Sequence, residues 1–224
     1  MKKLSLLIGG LLFSGLMMAQ TGEQKGRITI EGQTNVGGVV IGEKLAPSFR
    51  FRYFVTEQIG LRGTFAIKNT TRQDTYYELP ENTGNTGTYT EKSNLWNFAI
   101  GAEYHLMGNE KLSPFFALDI NYGGGKRIID AQNASIDKFT ADYSKDAELP
   151  IKRIGIAPMG GLDYNFSPSF FLGGEIGVLI SSTTVGAGSA TITSSGIVTN
   201  ASTKIIKYNS ASDLIAAVRL GFRF

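Results

Sequence analysis

The sequence predicts an all-β protein: an eight-stranded antiparallel up-and-down transmembrane β-barrel with short periplasmic turns and longer extracellular loops. Three observations lead to this prediction. The chain begins with a segment that has the form of an export signal, and eight later stretches alternate apolar residues with polar or small ones. The gaps between these stretches alternate between short turns and long polar segments, which is typical of outer-membrane barrels.

The N-terminal segment is predicted to be a cleaved secretory signal peptide. Two lysines precede an apolar run over residues 4–18, and the small residue Ala19 follows it. The run is shorter than the roughly 20 residues of a membrane-spanning helix. We therefore expect residues 1–19 to be removed and residues 20–224 to form one barrel domain.

Composition narrows the classes of protein to consider. The chain has no cysteine, which excludes disulfides and thiolate metal sites. The formal net charge of +3 falls by two, to +1, when Lys2 and Lys3 are removed. Charge therefore gives no reason to expect a nucleic-acid partner, whereas 28 glycines and an aromatic content of 11% favour a membrane barrel.

The alternation defines the eight predicted strands. They cover residues 26–40, 46–55, 59–71, 94–106, 114–124, 151–166, 170–181 and 213–224. The gaps after the second, fourth and sixth strands are short, and those after the third, fifth and seventh are long. Only the gap "IGEKLAP" after the first strand departs from this order. An even number of strands is what closure of an up-and-down barrel requires.

Side-chain volume predicts which face of the barrel is outside. The interior of an eight-stranded barrel is just wide enough for side chains to fill it. The polar face carries many glycines and alanines, whereas the apolar face carries large rings, among them Phe49, Phe51, Trp96, Phe98, Phe116, Tyr164 and Phe222. We therefore expect the rings to point outward, into lipid, and the small and charged residues to fill the lumen.

Aromatic residues collect near both ends of the predicted strands, as expected for girdles at the two membrane interfaces. The predicted girdle residues are Tyr53, Trp96, Tyr104, Tyr122, Tyr164 and Phe166. Phe54 is assigned to the same band as Tyr53, beside the short turns.

The inward face carries charges of both signs. An unpaired buried ion costs several kcal/mol, so these charges are expected to pair. The predicted lumen ion-pair network contains Arg50, Arg52, Glu103, Asp119, Glu175 and Arg219. Such a network plugs the lumen, and a gated small-ion pathway is the alternative.

The export signal, the eight strands and the terminal "VRLGFRF" resemble small outer-membrane β-barrel proteins of the OmpA/OmpX type. Segments such as "LAPSFRFRYFVTEQIGLRG" are most similar to barrels of the Bacteroidetes group. The resemblance implies a location in the outer membrane of a Gram-negative cell, among lipid and lipopolysaccharide. It also implies that Phe224, with Phe222 before it, is the signal read by the outer-membrane assembly machinery.

No catalytic residue, metal site or cofactor is predicted. The single histidine, His105, falls at the inward, short-turn end of its strand, whereas lipid-modifying barrels, by resemblance, place theirs toward the outer leaflet. We expect a non-enzymatic protein with a structural, anchoring or interaction role, whose long loops offer strand edges to other envelope proteins. The alternatives are an accessory subunit of a secretion or assembly complex, a narrow channel and a lipid-modifying enzyme.

Overall fold

The computed structural model describes residues 26–38, 47–79, 84–106, 111–202 and 204–224. It contains ten strands: β1 Ile28–Gly38, β2 Pro47–Phe54, β3 Ile59–Tyr77, β4 Thr86–His105, β5 Leu112–Ser135, β6 Lys138–Asn165, β7 Phe170–Val185, β8 Ser189–Ser194, β9 Ile197–Ser202 and β10 Ile206–Arg223. Among these residues no helix is long and apolar enough to cross a membrane. The predicted signal peptide and the gap "IGEKLAP" lie outside the described residues, apart from Pro47.

Eight of the strands form a closed antiparallel ring. Consecutive strands pair with each other from β1 to β7, including β5 with β6, and β10 pairs with both β7 and β1 to close the ring. Strands β8 and β9 stand outside the ring, because β8 pairs with the outer part of β6 and β9 pairs with β8. The predicted eight-stranded up-and-down barrel is confirmed.

The register fixes the tilt of the strands. Paired residues followed once around the ring lead from Ser113 on β5 back to Gly123 on the same strand, a stagger of 123 − 113 = 10 residues. Eight strands with this stagger are inclined by about 40° to the barrel axis. The barrel is therefore narrow, and side chains fill its lumen.

Apolar side chains cover the outside of the ring. On β3 the outward positions run from Ile59 to Ile67, and each of them except Gly63 carries an exposed apolar side chain. Nine residues at about 3.3 Å each, tilted by about 40°, rise roughly 23 Å along the axis. This apolar belt matches the band of about 25 Å that outer-membrane barrels present to lipid.

Phe222 is on the outer face by strand alternation but is only 5% exposed. The rings of Phe170 and Phe224 cover it, with ring centres 4.7 and 4.6 Å away. It therefore packs within the belt and does not enter the lumen.

The expectation that large rings all point outward is wrong at the periplasmic end. Phe54, Phe115 and Phe171 are buried inside the ring, and we call these three residues the aromatic floor. Glycines make room for them. A Cβ added to Gly221 would lie 2.1 Å from the ring of Phe171, and one added to Gly161 would lie 2.3 Å from that of Phe115.

Three extracellular segments that the sequence analysis treats as long polar loops are largely strand. Beyond the apolar belt, β3 to β6 continue as two long hairpins, and the β8–β9 hairpin extends them sideways. We call this part the outer sheet: residues 68–77, 86–95, 125–135 and 138–151, with β8 and β9. Threonine and tyrosine suit strands, and ladder pairing satisfies the backbone groups of these segments without an apolar alternation.

Candidate functional site

Arg52 is at the centre of the charges in the lumen. Its guanidinium contacts the carboxylates of Glu31, Glu103 and Asp163, the last two at 2.8 and 2.9 Å. All four side chains are fully buried. Thr29 donates a hydrogen bond of 2.8 Å to Glu31 and accepts one of 3.2 Å from Arg52.

Arg219, on β10, joins two of the same carboxylates from two strands away in the ring. It lies 2.9 Å from Glu31 and 2.7 Å from Asp163. Its Nε is also 3.8 Å from Glu175, which leads to the next set of charges. Each of these carboxylates is thus shared between arginines, so no single pair is independent of the others.

Two further arginines complete the set toward the extracellular side. Arg62 contacts Asp119 at 2.6 Å, Glu103 at 3.4 Å and Glu175 at 3.3 Å. Arg50 binds both carboxylate oxygens of Glu175, at 2.6 and 2.7 Å. Bidentate pairs of this kind are strong and geometrically specific.

We call the nine charged residues of this set, four arginines and five carboxylates, the lumen network. The structure brings together all six residues that the sequence analysis named: Arg50, Arg52, Glu103, Asp119, Glu175 and Arg219. Sequence reasoning missed Glu31, Arg62 and Asp163 as members, although strand alternation put them on the inward face. They were left out because height along the strands alone does not say which side chains meet across the lumen.

The aromatic floor lies beside the network, next to the periplasmic turns. The guanidinium carbon of Arg52 is 4.8 Å from the ring centre of Phe171, and that of Arg219 is 5.0 Å from the ring centre of Phe115. Arg223 approaches Phe171 at 5.4 Å. These cation–π contacts stabilise guanidinium groups that lack water, so the floor and the network form one plug.

His105 connects the floor to the network. Its Nδ1 is 2.7 Å from the Ser113 hydroxyl and its Nε2 is 2.9 Å from Glu103. The order hydroxyl, imidazole, carboxylate has the connectivity of a catalytic triad. Here, however, the carboxylate also pairs with two arginines, and the imidazole packs between Phe54 and Phe115 at ring distances of 5.2 and 5.3 Å.

Each predicted girdle residue has its side chain on the outer face. Tyr53, Tyr104, Tyr164 and Phe166 lie near the periplasmic turns, and all four are exposed. Trp96 and Tyr122 lie at the other end of the belt and meet edge-to-face, with ring centres 5.6 Å apart. Phe54, which the sequence analysis put in the first band, is instead in the aromatic floor.

The C-terminal strand closes the barrel against the first strand. The backbone N–H of Phe224 donates a hydrogen bond of 2.9 Å to the carbonyl of Ile28. The side chain of Phe224 stays exposed on the outer face, packed on Phe222. The role of these two residues as an assembly signal stays a prediction.

Three lysines lie along the extracellular border of the apolar belt. Lys92, Lys126 and Lys152 point outward on β4, β5 and β6, just beyond Trp96, Tyr122 and Ile154. All three are exposed, and Lys126 contacts Glu148 at 3.1 Å. In the part of the chain that the structure describes, no group of three His, Asp or Glu side chains is arranged to hold a metal ion.

Comparisons with known proteins agree with this fold. No family model matches the chain, and no curated protein matches it. Among solved structures, the chain is similar to the outer membrane protein OprG from Pseudomonas aeruginosa, with 14% identity over 91% of this chain and 98% of that one, and a TM-score of 0.51.

Two further outer-membrane structures match with lower scores. The N-terminal β-barrel domain of Pseudomonas aeruginosa OprF has 15% identity over 89% of this chain and 98% of that one, with a TM-score of 0.41. Acinetobacter baumannii CarO2 has 14% identity over 88% and 98%, with a TM-score of 0.39. Of these three structures only OprG scores above 0.5, so the agreement of fold rests on it.

This chain is an outer-membrane β-barrel. The closed ring, the apolar belt of about the thickness of the hydrocarbon layer, and the fold shared with OprG together lead to this conclusion. The narrower resemblance to OmpA/OmpX-type barrels and to those of the Bacteroidetes stays a prediction.

Proposed function

We propose that the barrel is a non-enzymatic membrane anchor that holds the outer sheet above the cell surface for interaction with other molecules. One observation carries this proposal: the lumen is filled by a buried plug, while the chain extends four barrel strands well beyond the membrane and adds two more to them. The structure that this chain adds to a simple eight-stranded barrel therefore lies on the extracellular side.

The plug supports an anchoring role over a channel. The lumen network and aromatic floor occupy the periplasmic half of the lumen, and a small apolar cluster continues from them. In this cluster Ala117, Ala157 and Met159 are buried against Leu179 and Ile215. Passage of an ion requires several shared ion pairs and packed rings to separate together.

The proposal is tested by three measurements, one on the purified barrel and two on cells. Planar-bilayer recording of the purified barrel is expected to give no channel steps, and steady steps would favour the channel. The mass profile of lipid A is expected to be unchanged when the gene is deleted, and a changed acyl pattern would favour the enzyme.

The third measurement addresses the outer sheet. Cells that display the barrel are compared, in surface attachment and in cross-linking to other envelope proteins, with cells in which residues 189–202 are replaced by a short Gly-Ser turn. We expect the variant to insert normally, as judged by its gel mobility before and after boiling, and to lose interaction. Normal interaction by this variant would contradict a role for the outer sheet.

The second candidate is an accessory subunit of a larger secretion or assembly complex, and β9 favours it. All six residues of β9 are exposed and uncharged, and among the described strands β9 pairs only with β8. A strand edge without charges or proline is suited to pairing with another chain. We expect the double substitution Val198→Lys/Asn200→Lys to shift the native-gel mobility of detergent extracts toward the single barrel, and Val198→Thr/Asn200→Thr not to.

A further inference from the structure

A cleft of about 390 Å³ lies at the far end of the outer sheet, where the tip of the β5–β6 hairpin meets the lumen-side face. Its lining includes two tyrosines and two lysines: Tyr89, Tyr143, Lys138 and Lys145. Asp137 is at the hairpin turn. The volume is within the range of about 300–1,000 Å³ that small-molecule sites occupy.

The register of the strands builds the trough of this cleft. Tyr89 on β4 pairs with Ala131 on β5, and Ala131 pairs with Lys145 on β6, so the three lie in one row on one face. Ala131 is only 1% exposed and has a small side chain. The backbones of Tyr89 and Lys145 are thus roughly 10 Å apart, and the small side chain of Ala131 leaves a depression in the sheet surface between them.

A hydrogen bond holds the hairpin tip over this trough. The hydroxyl of Tyr76 on β3 donates to the carbonyl oxygen of Ile136 at 2.8 Å, which ties the turn to a strand two positions away in the sheet. An irregularity in the β5–β6 pairing at Asn133, which has a φ of 47°, precedes the turn. The cleft is therefore fixed by the register of β4, β5 and β6 and by the hydrogen bond from Tyr76 on β3.

Four of the polar side chains that line the cleft have no hydrogen-bond or ion-pair partner among the described residues. Tyr89, Tyr143, Lys138 and Lys145 make no side-chain hydrogen bond or ion pair with any described residue. Arg127 on the same sheet is paired, by contrast, because it contacts Glu91 at 3.0 Å. Partial burial and the charge of Glu91 raise the pKa of Tyr89, so its hydroxyl keeps its proton and can donate.

We propose that this cleft binds an anionic saccharide, a sugar that carries carboxylate or sulfate groups. The faces of Tyr89 and Tyr143 offer apolar surface to the C–H groups of a sugar ring, and their hydroxyls offer hydrogen bonds. Lys138 and Lys145 neutralise the acidic groups, and Asp137 accepts a hydrogen bond from a sugar hydroxyl. The inference deepens the proposed surface-interaction role and rests on it.

The test is calorimetric titration of the purified full-length barrel in detergent micelles with three disaccharides. One carries sulfate, one carries a uronate without sulfate, and one is neutral. We expect the two charged sugars to bind and the neutral one to bind at least tenfold more weakly. Binding of only one charged sugar also supports the proposal and tells sulfated glycans from uronate polymers as the source.

Variants assign the binding to the cleft. Lys138→Gln/Lys145→Gln is expected to weaken binding of the charged sugars about tenfold, and Tyr89→Ala/Tyr143→Ala by a similar factor. The matched controls are Lys92→Gln/Lys152→Gln, with the same change of charge on the outer face, and Tyr77→Ala on an exposed outward tyrosine. These controls are expected to stay within twofold of the wild type.

Three results would overturn the inference: no binding of either charged sugar, equal binding of the neutral one, or equal losses in the control variants. Unchanged mobility before and after boiling shows that each variant is folded. If the cleft variants bind normally while loss of residues 189–202 still abolishes surface interaction, the saccharide site is wrong and the proposed function stands.

Discussion

Arg50 and Glu175 form a bidentate ion pair across the lumen, in which the two terminal guanidinium nitrogens lie 2.7 and 2.6 Å from the two carboxylate oxygens. They belong to β2 and β7, strands that are separated in the ring by β1 and β10. Backbone ladders hold only neighbouring strands together. The pair therefore braces the barrel wall where no ladder connects it, and the rest of the lumen network repeats this principle.

The first prediction concerns Arg52, a fully buried arginine that contacts three carboxylates. Arg52→Ala leaves Glu31, Glu103 and Asp163 with less compensating charge in a buried site. We expect the free energy of unfolding to fall by about 3–5 kcal/mol, as when one partner of a buried ion pair is removed. Equilibrium unfolding in urea, with the barrel in lipid vesicles, measures it.

The control for this variant is Arg72→Ala. Arg72 pairs with Asp74 at 2.9 Å on the outer sheet, and its side chain is 72% exposed. Exposed pairs contribute little because water and salt screen them. We expect no measurable change, and equal losses in the two variants would contradict the view that burial makes the lumen network important.

The second prediction concerns the glycines beside the aromatic floor. In Gly221→Ala the new methyl group would collide with the ring of Phe171, which is itself packed against Arg52 and Arg223. Overpacking of this kind costs about 1–3 kcal/mol. The same unfolding experiment measures it. Gly174→Ala is the matched control, because its Cβ would meet nothing within 4 Å, and a loss as large there would show that backbone effects dominate.

The third prediction concerns the lysines above the belt and the expected lipopolysaccharide partner. We expect the phosphates of lipid A to lie at the depth where Lys92, Lys126 and Lys152 point outward. We expect lipid A to raise the unfolding temperature of the wild-type barrel more than dephosphorylated lipid A does. In the triple Lys→Gln variant this difference is expected to disappear.

Salt and position serve as controls for the lysine prediction. High salt is expected to reduce the stabilisation, because it screens exposed charges. Lys138→Gln/Lys145→Gln, at the far tip of the outer sheet, is expected to retain it. Full stabilisation of the triple variant would mean that these lysines do not contact lipid phosphate.

Strand alternation predicts the ring well because the inside and outside of the barrel are chemically different. On β2, Phe49 and Phe51 are exposed while Arg50 and Arg52 are buried, as the two-residue period requires. The Phe54 error came from treating it as a neighbour of the outward Tyr53, although alternation from Arg52 puts it inside.

Two Phe–Phe doublets carried a signal that was missed. In Phe115–Phe116 and Phe170–Phe171 the two rings must point to opposite faces, so one ring of each doublet has to enter the lumen. Glycines opposite them provide the space. The argument from side-chain volume compared the two faces of the barrel as wholes. It therefore missed single positions at which a large ring points inward and a glycine beside it makes room.

The outer sheet and the cleft were beyond the reach of alternation. Above the membrane both faces of the sheet meet water, so the apolar period disappears and only strand propensity remains. The pairing of β8 with β6 joins residues that are 189 − 148 = 41 to 194 − 143 = 51 positions apart, from Glu148 with Ser189 to Tyr143 with Ser194. Long-range pairings of this kind, like the meeting of Glu31 with Arg219, follow from three-dimensional closure and not from local pattern.

The most direct test of the membrane assignment uses Trp96, the only tryptophan in the sequence. Its ring lies on the outer face at the extracellular end of the belt. The next outward residues of β4 toward the outer sheet are the polar Asn94 and Lys92. In vesicles of brominated lipids we expect Trp96 fluorescence to be quenched most by bromines near the headgroups. In the variant Trp96→Phe/Leu118→Trp, whose new ring is outward at mid-belt, quenching is expected to be strongest with bromines deep in the acyl chains. Emission that is quenched by aqueous iodide and unaffected by bromine at any depth would contradict the barrel's apolar face meeting lipid.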